Sequence, residues 1–311
     1  MLRHTVITRP TDALPAYLAE NATRLRQQLH RSGALLFQSA GCDTPEAFAQ
    51  LVRHFAPSLM QENGEHVALG TADQHVYTPV LHAPEQKLIW HNENSFNADW
   101  PDIIAFRSVR PATRGGETLL ADSREVIAEL DATLVAEFRA KGVCYVRTMG
   151  LGVGLDWRQV LRVHTRQQAE NHCQSHGMAW RWIDEDTLQT RCTRPAVEKH
   201  AVTGEDCWFN QAQHWHPWFL GEDVRQELVD AFGAESLPRD CCFGDGSRID
   251  DAAMAHIKAV YEWLEWSVAL EAGDVLVVDN VLLAHGRNPY AGPRELHVAM
   301  GSYAMRSEAR R

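Results

Sequence analysis

The chain has 311 residues and a formal net charge of −11. Its hydrophobic fraction of 45% and charged fraction of 23% are typical of a globular protein and exclude a disordered chain. The acidic balance argues against a broad electrostatic surface for nucleic acid or acidic membranes, so we expect neither as a partner.

Neither the N-terminus nor the cysteines indicate export. The first residues lack the apolar core of a secretory signal, and no apolar run is long enough to span a bilayer. The seven cysteines are irregularly spaced and contain no C-x-x-C pair, which argues against a disulfide framework and a thiolate zinc site. We expect a cytoplasmic protein, and the sequence does not indicate its oligomeric state.

Helical spacing of apolar residues dominates the N-terminal part. It predicts a helix over 12–31 that ends at Gly33, a short buried strand over 33–37, and a helix over 44–55 that is capped by Thr44. A further helix is predicted from Asp122 to Gly142.

Short runs with strand character lie between and after these helices. They cover residues 103–109, 143–147, 179–183, 274–278 and 295–303. Helices followed by scattered strands predict a mainly β fold with flanking helices, of sandwich or barrel type. The chain has no internal repeat or linker, so we expect one domain over 1–311. In it, a helical segment of about 12–56 and an insert of about 150–235 pack on the strands.

Two histidines and a glutamate form a candidate metal site. His91 and Glu93 are two residues apart in an extended context, so both side chains project from one face of a strand. His285 lies just beyond an apolar strand. Two imidazoles and one carboxylate suit one face of an octahedral iron(II) and leave three positions open. With 16 histidines in the chain, the H-x-E pair alone is weak evidence.

Four sequence blocks support the metal site. They are HNENSF (91–96), WPDIIAFRSVRPATRGGETLLADSREV (100–126), RPAVEKHAVTGEDCWFNQ (194–211) and DNVLLAHGRNPYAGPRELHVAMG (279–301). On these blocks the chain resembles the TauD/TfdA family of iron(II)/2-oxoglutarate dioxygenases. The resemblance is to clavaminate synthase-like members with H-x-E, and most of all to SyrP-type hydroxylases that accompany nonribosomal peptide synthetases.

The resemblance implies a double-stranded β-helix (a jelly roll, cupin-like) and an enzyme that uses Fe(2+), 2-oxoglutarate and O2. His91, Glu93 and His285 are then the iron ligands, and no other catalytic side chain is required. The family binds the C5 carboxylate of 2-oxoglutarate with an arginine after the distal histidine and with the threonine of a GG-D/E-T motif. Arg294 and Thr118 match these two positions.

Physical chemistry supports arginine in this role, because its guanidinium binds a carboxylate through two hydrogen bonds and stays charged when desolvated. Arg287 also follows the distal histidine and is the alternative. Gly115 and Gly116 are predicted to let the backbone turn before the threonine strand.

The substrate is predicted from a departure from the family pattern. Relatives that bind free taurine or free amino acids commonly carry a second arginine four residues after the cosubstrate arginine, where this chain has Val298. The missing cation favours an amino-acid-type substrate whose acid is masked on a carrier protein, hydroxylated at an unactivated C–H in secondary metabolism such as antibiotic biosynthesis. Candidate substrate contacts are Asn94, Arg107, Asn210, Gln211 and Arg287.

Other interpretations remain open. A free amino acid or small acid could be hydroxylated, epoxidised or desaturated by the same chemistry. His₂Glu also suits zinc, and a catalytically silent jelly roll could bind a metabolite. Halogenation is disfavoured, because related halogenases have Gly or Ala at the position of Glu93. His214 and His216 are predicted to pack or to form hydrogen bonds rather than to bind metal.

Overall fold

The computed structural model describes residues 5–7, 14–60, 67–68, 75–79 and 82–303. In chain order its elements are β1 Thr5–Ile7, α1 Leu14–Ser32, β2 Ala34–Phe37, α2 Pro45–Arg53, β3 Ser58–Leu59, β4 Val67–Ala68, β5 Val76–Thr78, β6 Leu88–His91, β7 Ile103–Arg110, β8 Arg114–Gly115, β9 Thr118–Asp122, α3 Ser123–Glu129, α4 Ala132–Lys141, β10 Val143–Met149, α5 Trp157–Leu161, α6 Arg166–Ser175, β11 Ala179–Trp182, β12 Leu188–Arg194, β13 Val197–Lys199, β14 Asp206–Trp208, α7 Ala212–Trp215, a 3-10 turn Pro217–Leu220, α8 Glu222–Phe232, β15 Arg239–Phe243, α9 Asp251–Leu264, β16 Trp266–Val268, β17 Val275–Asp279, β18 Leu283–Arg287, β19 Tyr290–Ala291 and β20 Glu295–Ser302.

The N-terminal prediction is confirmed. Helix α1 ends before Gly33, whose φ of +72° suits glycine, and the predicted start at residue 12 lies outside the described residues. Thr44 caps α2, because its side chain accepts a hydrogen bond from the N–H of Ala47 at 3.2 Å.

Two β-sheets form the centre of the fold. The larger has the strand order β1-β2-β17-β7-β20-β5-β4, with β3 also paired to β20. The smaller has the order β16-β9-β18-β6. Apart from the parallel pair β1–β2, these pairings are antiparallel. The strands predicted at 103–109, 274–278 and 295–303 are confirmed as β7, β17 and β20.

Hydrophobic residues of both sheets meet in one interior core. The larger sheet contributes Phe106 and Val298, and the smaller sheet contributes Leu120 and Leu283. Helices α1 and α2 cover the outer face of the larger sheet. Helices α3, α4 and α9 cover the outer face of the smaller one. The architecture is therefore mixed, with helices packed outside two facing sheets.

The single helix predicted from Asp122 to Gly142 is wrong in one respect, because it is two helices. Leu130 has extended backbone, with ψ of 150°, and ends α3. Asp131 then caps α4 by accepting hydrogen bonds from the N–H groups of Thr133 and Leu134 at 2.8 and 3.1 Å. An apolar stripe that continues through Leu134 and Phe138 hides this break.

The segment over 150–235 carries much of a third, four-stranded sheet of order β11-β12-β10-β15. Its short helix α7 lies against β6 of the smaller sheet and against β10 and β15. This contact places α7 beside His91. No helix within the described ranges has the length and apolarity needed to cross a membrane.

Candidate active site

The two histidines of the predicted metal site are cross-strand neighbours. Strand β18 pairs with β6 so that His285 lies opposite His91, and their ring centroids are 4.3 Å apart. Glu93 follows β6, and its Oε2 lies 3.8 Å from His91 Nε2 and 3.9 Å from His285 Nε2. The three residues that the sequence predicts as metal ligands have side chains that converge in the structure.

Hydrogen bonding orients the first of these rings. His91 Nδ1 lies 3.0 Å from the carbonyl of Ile89, so its Nε2 faces the carboxylate of Glu93. One possible ligand atom from each residue of the triad lies within 4.8 Å of the other two. Two imidazoles and one carboxylate at this spacing suit iron(II).

The described residues contain one more cluster of this type, made of His30, His200 and Asp279. It does not suit a metal, because its ligand atoms already bind one another. Asp279 Oδ2 accepts hydrogen bonds from Tyr303 Oη and from His200 Nε2, the latter at 3.0 Å. His200 Nδ1 accepts from the N–H of Thr203, so Nε2 carries the ring proton.

Thr118 faces the interior of the two sheets beside the triad. It lies two residues before Leu120 of the interior core and pairs in register with Arg287 of β18. It is buried, with 4% of its surface exposed. On β18, Arg287 comes two residues after His285. Thr118, opposite Arg287, therefore lies two residues along the sheet from the position of His285.

Arg294 approaches this region from the larger sheet. It precedes β20, whose residues Leu296 and Val298 face the interior core. Among the described residues no hydrogen-bond or ion-pair partner is found for its guanidinium, which lies over the Tyr290 ring at 5.5 Å. Burial, with Arg287 nearby, lowers the pKa of Arg294. A desolvated cation of this kind fits a carboxylate ligand.

Gly115 and Gly116 form a tight turn before β9. Both have positive φ, and a Cβ on Gly116 would lie 3.4 Å from Arg294 Cδ. A Cβ on Gly115 would strike the carbonyl oxygen of Pro289 at 2.2 Å. The predicted turn is confirmed, and it lets β8 approach β19 closely.

Comparison with known proteins decides the family, because residues 6–300 match the model of the taurine catabolism dioxygenase TauD, TfdA family. The chain belongs to the TauD/TfdA family. It is 32% identical to the dapdiamide synthesis protein DdaC of Enterobacter agglomerans, over 88% of this chain and 83% of DdaC. It is 24% identical to a clavaminate synthase-like protein of Arabidopsis thaliana, over 92% of this chain and 88% of that protein.

Structural comparison agrees. A taurine dioxygenase from Burkholderia xenovorans aligns with a TM-score of 0.52 and 15% identity, covering 96% of this chain and 86% of that one. This likeness shows the shared fold. As a member of the TauD/TfdA family, the chain is an iron(II)- and 2-oxoglutarate-dependent dioxygenase, and its cosubstrates are 2-oxoglutarate and dioxygen.

Within this TauD/TfdA fold, Arg107 lies on the wrong face for a substrate contact. It alternates with Phe106, which faces the interior, and shares the outer face of β7 with Ala105. Its guanidinium contacts His297 Nδ1 at 3.1 Å and donates to the carbonyl of Asp43 at 2.9 Å. These contacts do not support the predicted substrate contact of Arg107.

Asn210 and Gln211 are buried and bind the main chain. Asn210 Nδ2 donates to the Ala196 carbonyl at 3.0 Å, and Asn210 Oδ1 accepts from the N–H of Ala212 at 3.1 Å. Gln211 Nε2 donates to the carbonyl of Asn92 at 2.7 Å. These contacts give both amides a structural role and do not support the predicted substrate contact.

Arg287 is also engaged by the protein. Its Nη2 lies 3.2 Å from His82 Nδ1 and donates to the carbonyls of Ala83 and Gln86 at 3.0 and 2.7 Å. It thus fixes the segment before β6 and does not support the predicted substrate contact. Asn94 differs, because its Oδ1 is buried and has no hydrogen-bond partner among the described residues. Asn94 follows Glu93 directly and has a φ of +58°.

His214 and His216 form hydrogen bonds, as predicted. His214 Nε2 donates to the carbonyl of Ile89 at 2.9 Å, and burial, with His91 nearby, lowers the pKa of His214 to about 3. His216 Nε2 lies 3.1 Å from the carbonyl of Ile249. Gln213 lies between Gln211 and His214 in the sequence, and its Nε2 donates to the carbonyl of Trp90 at 2.7 Å. Side chains from residues 211–214 thus hold the outer edge of β6.

Sequence reasoning missed Asn280. This fully buried residue accepts a hydrogen bond from the N–H of Glu93 at 2.6 Å. It lies between a buried strand and His285, and nothing in the sequence signals a partner 187 positions away.

Proposed function

We propose that His91, Glu93 and His285 hold the iron(II) of this dioxygenase, and that Arg294 and Thr118 bind the C5 carboxylate of 2-oxoglutarate. The observation that carries the proposal is the convergence of the triad on one point, together with a partly buried arginine that lacks an ion-pair partner among the described residues.

We further propose that the enzyme hydroxylates an amino-acid-type substrate tethered to a carrier protein. Val298 pairs in register with Phe106, whose ring centroid lies 5.3 Å from that of His285. Residue 298 is thus near the proposed metal, and it supplies no cation for a free carboxylate. Arg287 is held by the segment over 82–86. A thioester carries no charge that needs such a partner.

The proposal extends to biological role and organisation. A role in secondary metabolism is supported by the likeness to a dapdiamide synthesis protein. The two facing sheets support a jelly roll, and we treat residues 1–311 as one domain. A cytoplasmic location is supported by the cysteines, all seven of which are free thiols.

When bound, iron(II) with 2-oxoglutarate and dioxygen supplies the oxidising power for C–H hydroxylation. The chain's own residues bind and orient the reactants. Arg294 and Thr118 hold the far end of the cosubstrate, while Phe106 and Val298 keep the neighbouring interior apolar. No side chain is required to move a proton as a general base.

An anaerobic titration tests the ligand assignment. Adding 2-oxoglutarate to the iron(II)-loaded protein should produce a weak visible absorption band that neither component gives alone. The band should be lost in His91→Ala and should require much more 2-oxoglutarate in Arg294→Ala. A full band at the same cosubstrate concentration in both variants would contradict the proposed site.

A further inference from the structure

Both peptide groups that flank Glu93 are held by side-chain amides from distant parts of the chain. The carbonyl of Asn92 accepts a hydrogen bond from Gln211 Nε2 at 2.7 Å. The N–H of Glu93, in the same peptide group, donates to Asn280 Oδ1 at 2.6 Å. Asn280 Nδ2 donates in return to the carbonyl of Glu93 at 3.0 Å.

These contacts fix the backbone at Glu93. Because the peptide bond is planar, a residue has two soft dihedrals, φ and ψ, which rotate the two neighbouring peptide planes. Gln211 and Asn280 hold the plane before the Cα of Glu93, and Asn280 holds the plane after it. Strand β6 ends at His91, so the strand itself does not fix this position. The direction of the Cα–Cβ bond is therefore set by two amides.

The two amides are themselves anchored. Asn280 Nδ2 also donates to the carbonyl of Pro101 at 2.8 Å, and the Asn280 carbonyl accepts from Asn92 Nδ2 at 2.7 Å. The N–H of Gln211 donates to Tyr145 Oη at 2.9 Å. Through Pro101 and Tyr145, Asn280 and the main chain of Gln211 are thus tied to residues outside the Asn92–Glu93 peptide group.

We propose that Asn280 and Gln211 are positioning residues that direct the Glu93 carboxylate toward the metal. The inference rests on the proposed ligand set and gives Gln211 a task other than substrate recognition. Both residues act through the main chain of Glu93. Loss of outer contacts that orient a metal ligand typically lowers metal affinity roughly 10- to 100-fold.

Metal binding by the full-length protein tests the proposal, with Mn(II) alone as the probe and the EPR signal of the free ion as the readout. Gln211→Ala and Asn280→Ala should each raise the Kd for Mn(II) roughly 10- to 100-fold. Gln211→Glu keeps the shape but, when ionised, cannot donate a hydrogen bond, so it should bind Mn(II) no better than Gln211→Ala.

Gln189→Ala is the matched control. Gln189 is a buried glutamine whose Nε2 donates to the carbonyl of Glu235 at 2.8 Å and to Thr148 Oγ1 at 3.1 Å, on the third sheet. Its loss should lower the melting temperature and leave the Kd for Mn(II) unchanged. A merely structural role of Gln211 and Asn280 would produce this same pattern.

An unchanged Kd in both amide variants, or an equal rise in Gln189→Ala, overturns the proposal. If Asn280→Ala does not fold, Gln211→Ala and Gln211→Glu decide the matter. Glu93→Ala separates this inference from the ligand assignment. An unchanged Kd in Glu93→Ala contradicts the ligand set itself. A rise in Glu93→Ala without one in the amide variants contradicts only the positioning role.

Discussion

His91 and His285 lie directly opposite each other across the antiparallel pair of β6 and β18. Cross-strand neighbours on one face are close enough to contact each other directly. The spacing of these two imidazoles is thus a property of strand register, and a slip by one residue would turn one of them to the other face of the sheet.

Removing any member of the triad should abolish succinate formation. His91→Ala, Glu93→Ala and His285→Ala each take away one of the proposed ligands, while the two-sheet core stays in place because it does not depend on the metal. Turnover of 2-oxoglutarate and thermal unfolding measure the two effects. His176→Ala, at an exposed histidine, is the control. Retained turnover in one variant would remove that residue from the ligand set.

Loss of Arg294 should weaken cosubstrate binding and spare the metal. Removing one partner of a buried charge pair costs about 3–5 kcal/mol, so Arg294→Ala should raise the KM for 2-oxoglutarate by roughly two to three orders of magnitude. Thr118→Val should cost about 1.5–3 kcal/mol, because it removes a hydrogen bond to a charged group. Arg114→Ala, at an exposed arginine on β8, should leave this KM unchanged. An unaffected KM in Arg294→Ala would direct attention to Arg287.

Glu93→Asp should bind iron(II) more weakly than the native chain. The backbone at residue 93 is held on both sides by Asn280 and Gln211. The main chain therefore cannot advance to compensate for a carboxylate arm shorter by about 1.5 Å. A metal titration compares the two proteins. Equal affinity would show that the ligand segment is free to move.

The form of the substrate should follow from Val298. We expect oxidation of an aminoacyl thioester on a carrier protein and little reaction of the free amino acid, whose carboxylate would be buried without a cation at a cost of several kcal/mol. Mass spectrometry for one added oxygen, together with succinate release, measures both reactions. Val298→Arg should increase turnover of free acids. Rapid hydroxylation of a free amino acid by the native chain would contradict the proposal that the substrate is bound to a carrier protein.

Asp279 should contribute stability that depends on pH. Burial alone would raise its pKa, but hydrogen bonds from His200 and Tyr303, with His30 nearby, outweigh burial and hold the pKa of Asp279 well below its usual range. A carboxyl group whose pKa is depressed in the folded state stabilises the fold at any pH above its unfolded-state pKa of about 3.9. This contribution is lost as the pH falls from there toward the folded-state pKa.

Asp279→Asn should therefore lower the free energy of unfolding near neutral pH by about 1.5–3 kcal/mol for each hydrogen bond to the charge that is lost. Urea denaturation at a series of pH values measures this. The difference between native protein and variant should shrink as the pH falls below about 4. A difference that is constant down to acid pH would contradict the assignment.

Much of the fold follows from local pattern. The helices over 14–32 and 45–53 were predictable because their apolar spacing and their end signals at Gly33 and Thr44 agree. The helix break at Asp131 was not, since aspartate within an apolar stripe is read as a solvent-facing residue. The hydrogen bonds that Asp131 accepts from the N–H groups of Thr133 and Leu134 show that a new helix begins there.

The site was predictable where motif and chemistry coincide, and not where the partner is a distant main-chain group. Arg107 lies in a strand buried on both faces, so alternation alone does not say which face is the interior. Asn210 and Gln211 offer the amides that a substrate pocket needs, but buried main-chain carbonyls need the same donors.

Within the part of the chain that the structure describes, the outer edge of β6 is closed by side chains from residues 211–214 and not by another strand. This segment contains no proposed metal ligand, yet three of its four side chains bind the ligand strand or the residue next to it. A chimera that exchanges residues 150–235 for those of a relative would therefore exchange part of the metal site's support. Such a graft should keep Gln211, Gln213 and His214 if it is to preserve metal binding, whatever specificity the new segment brings.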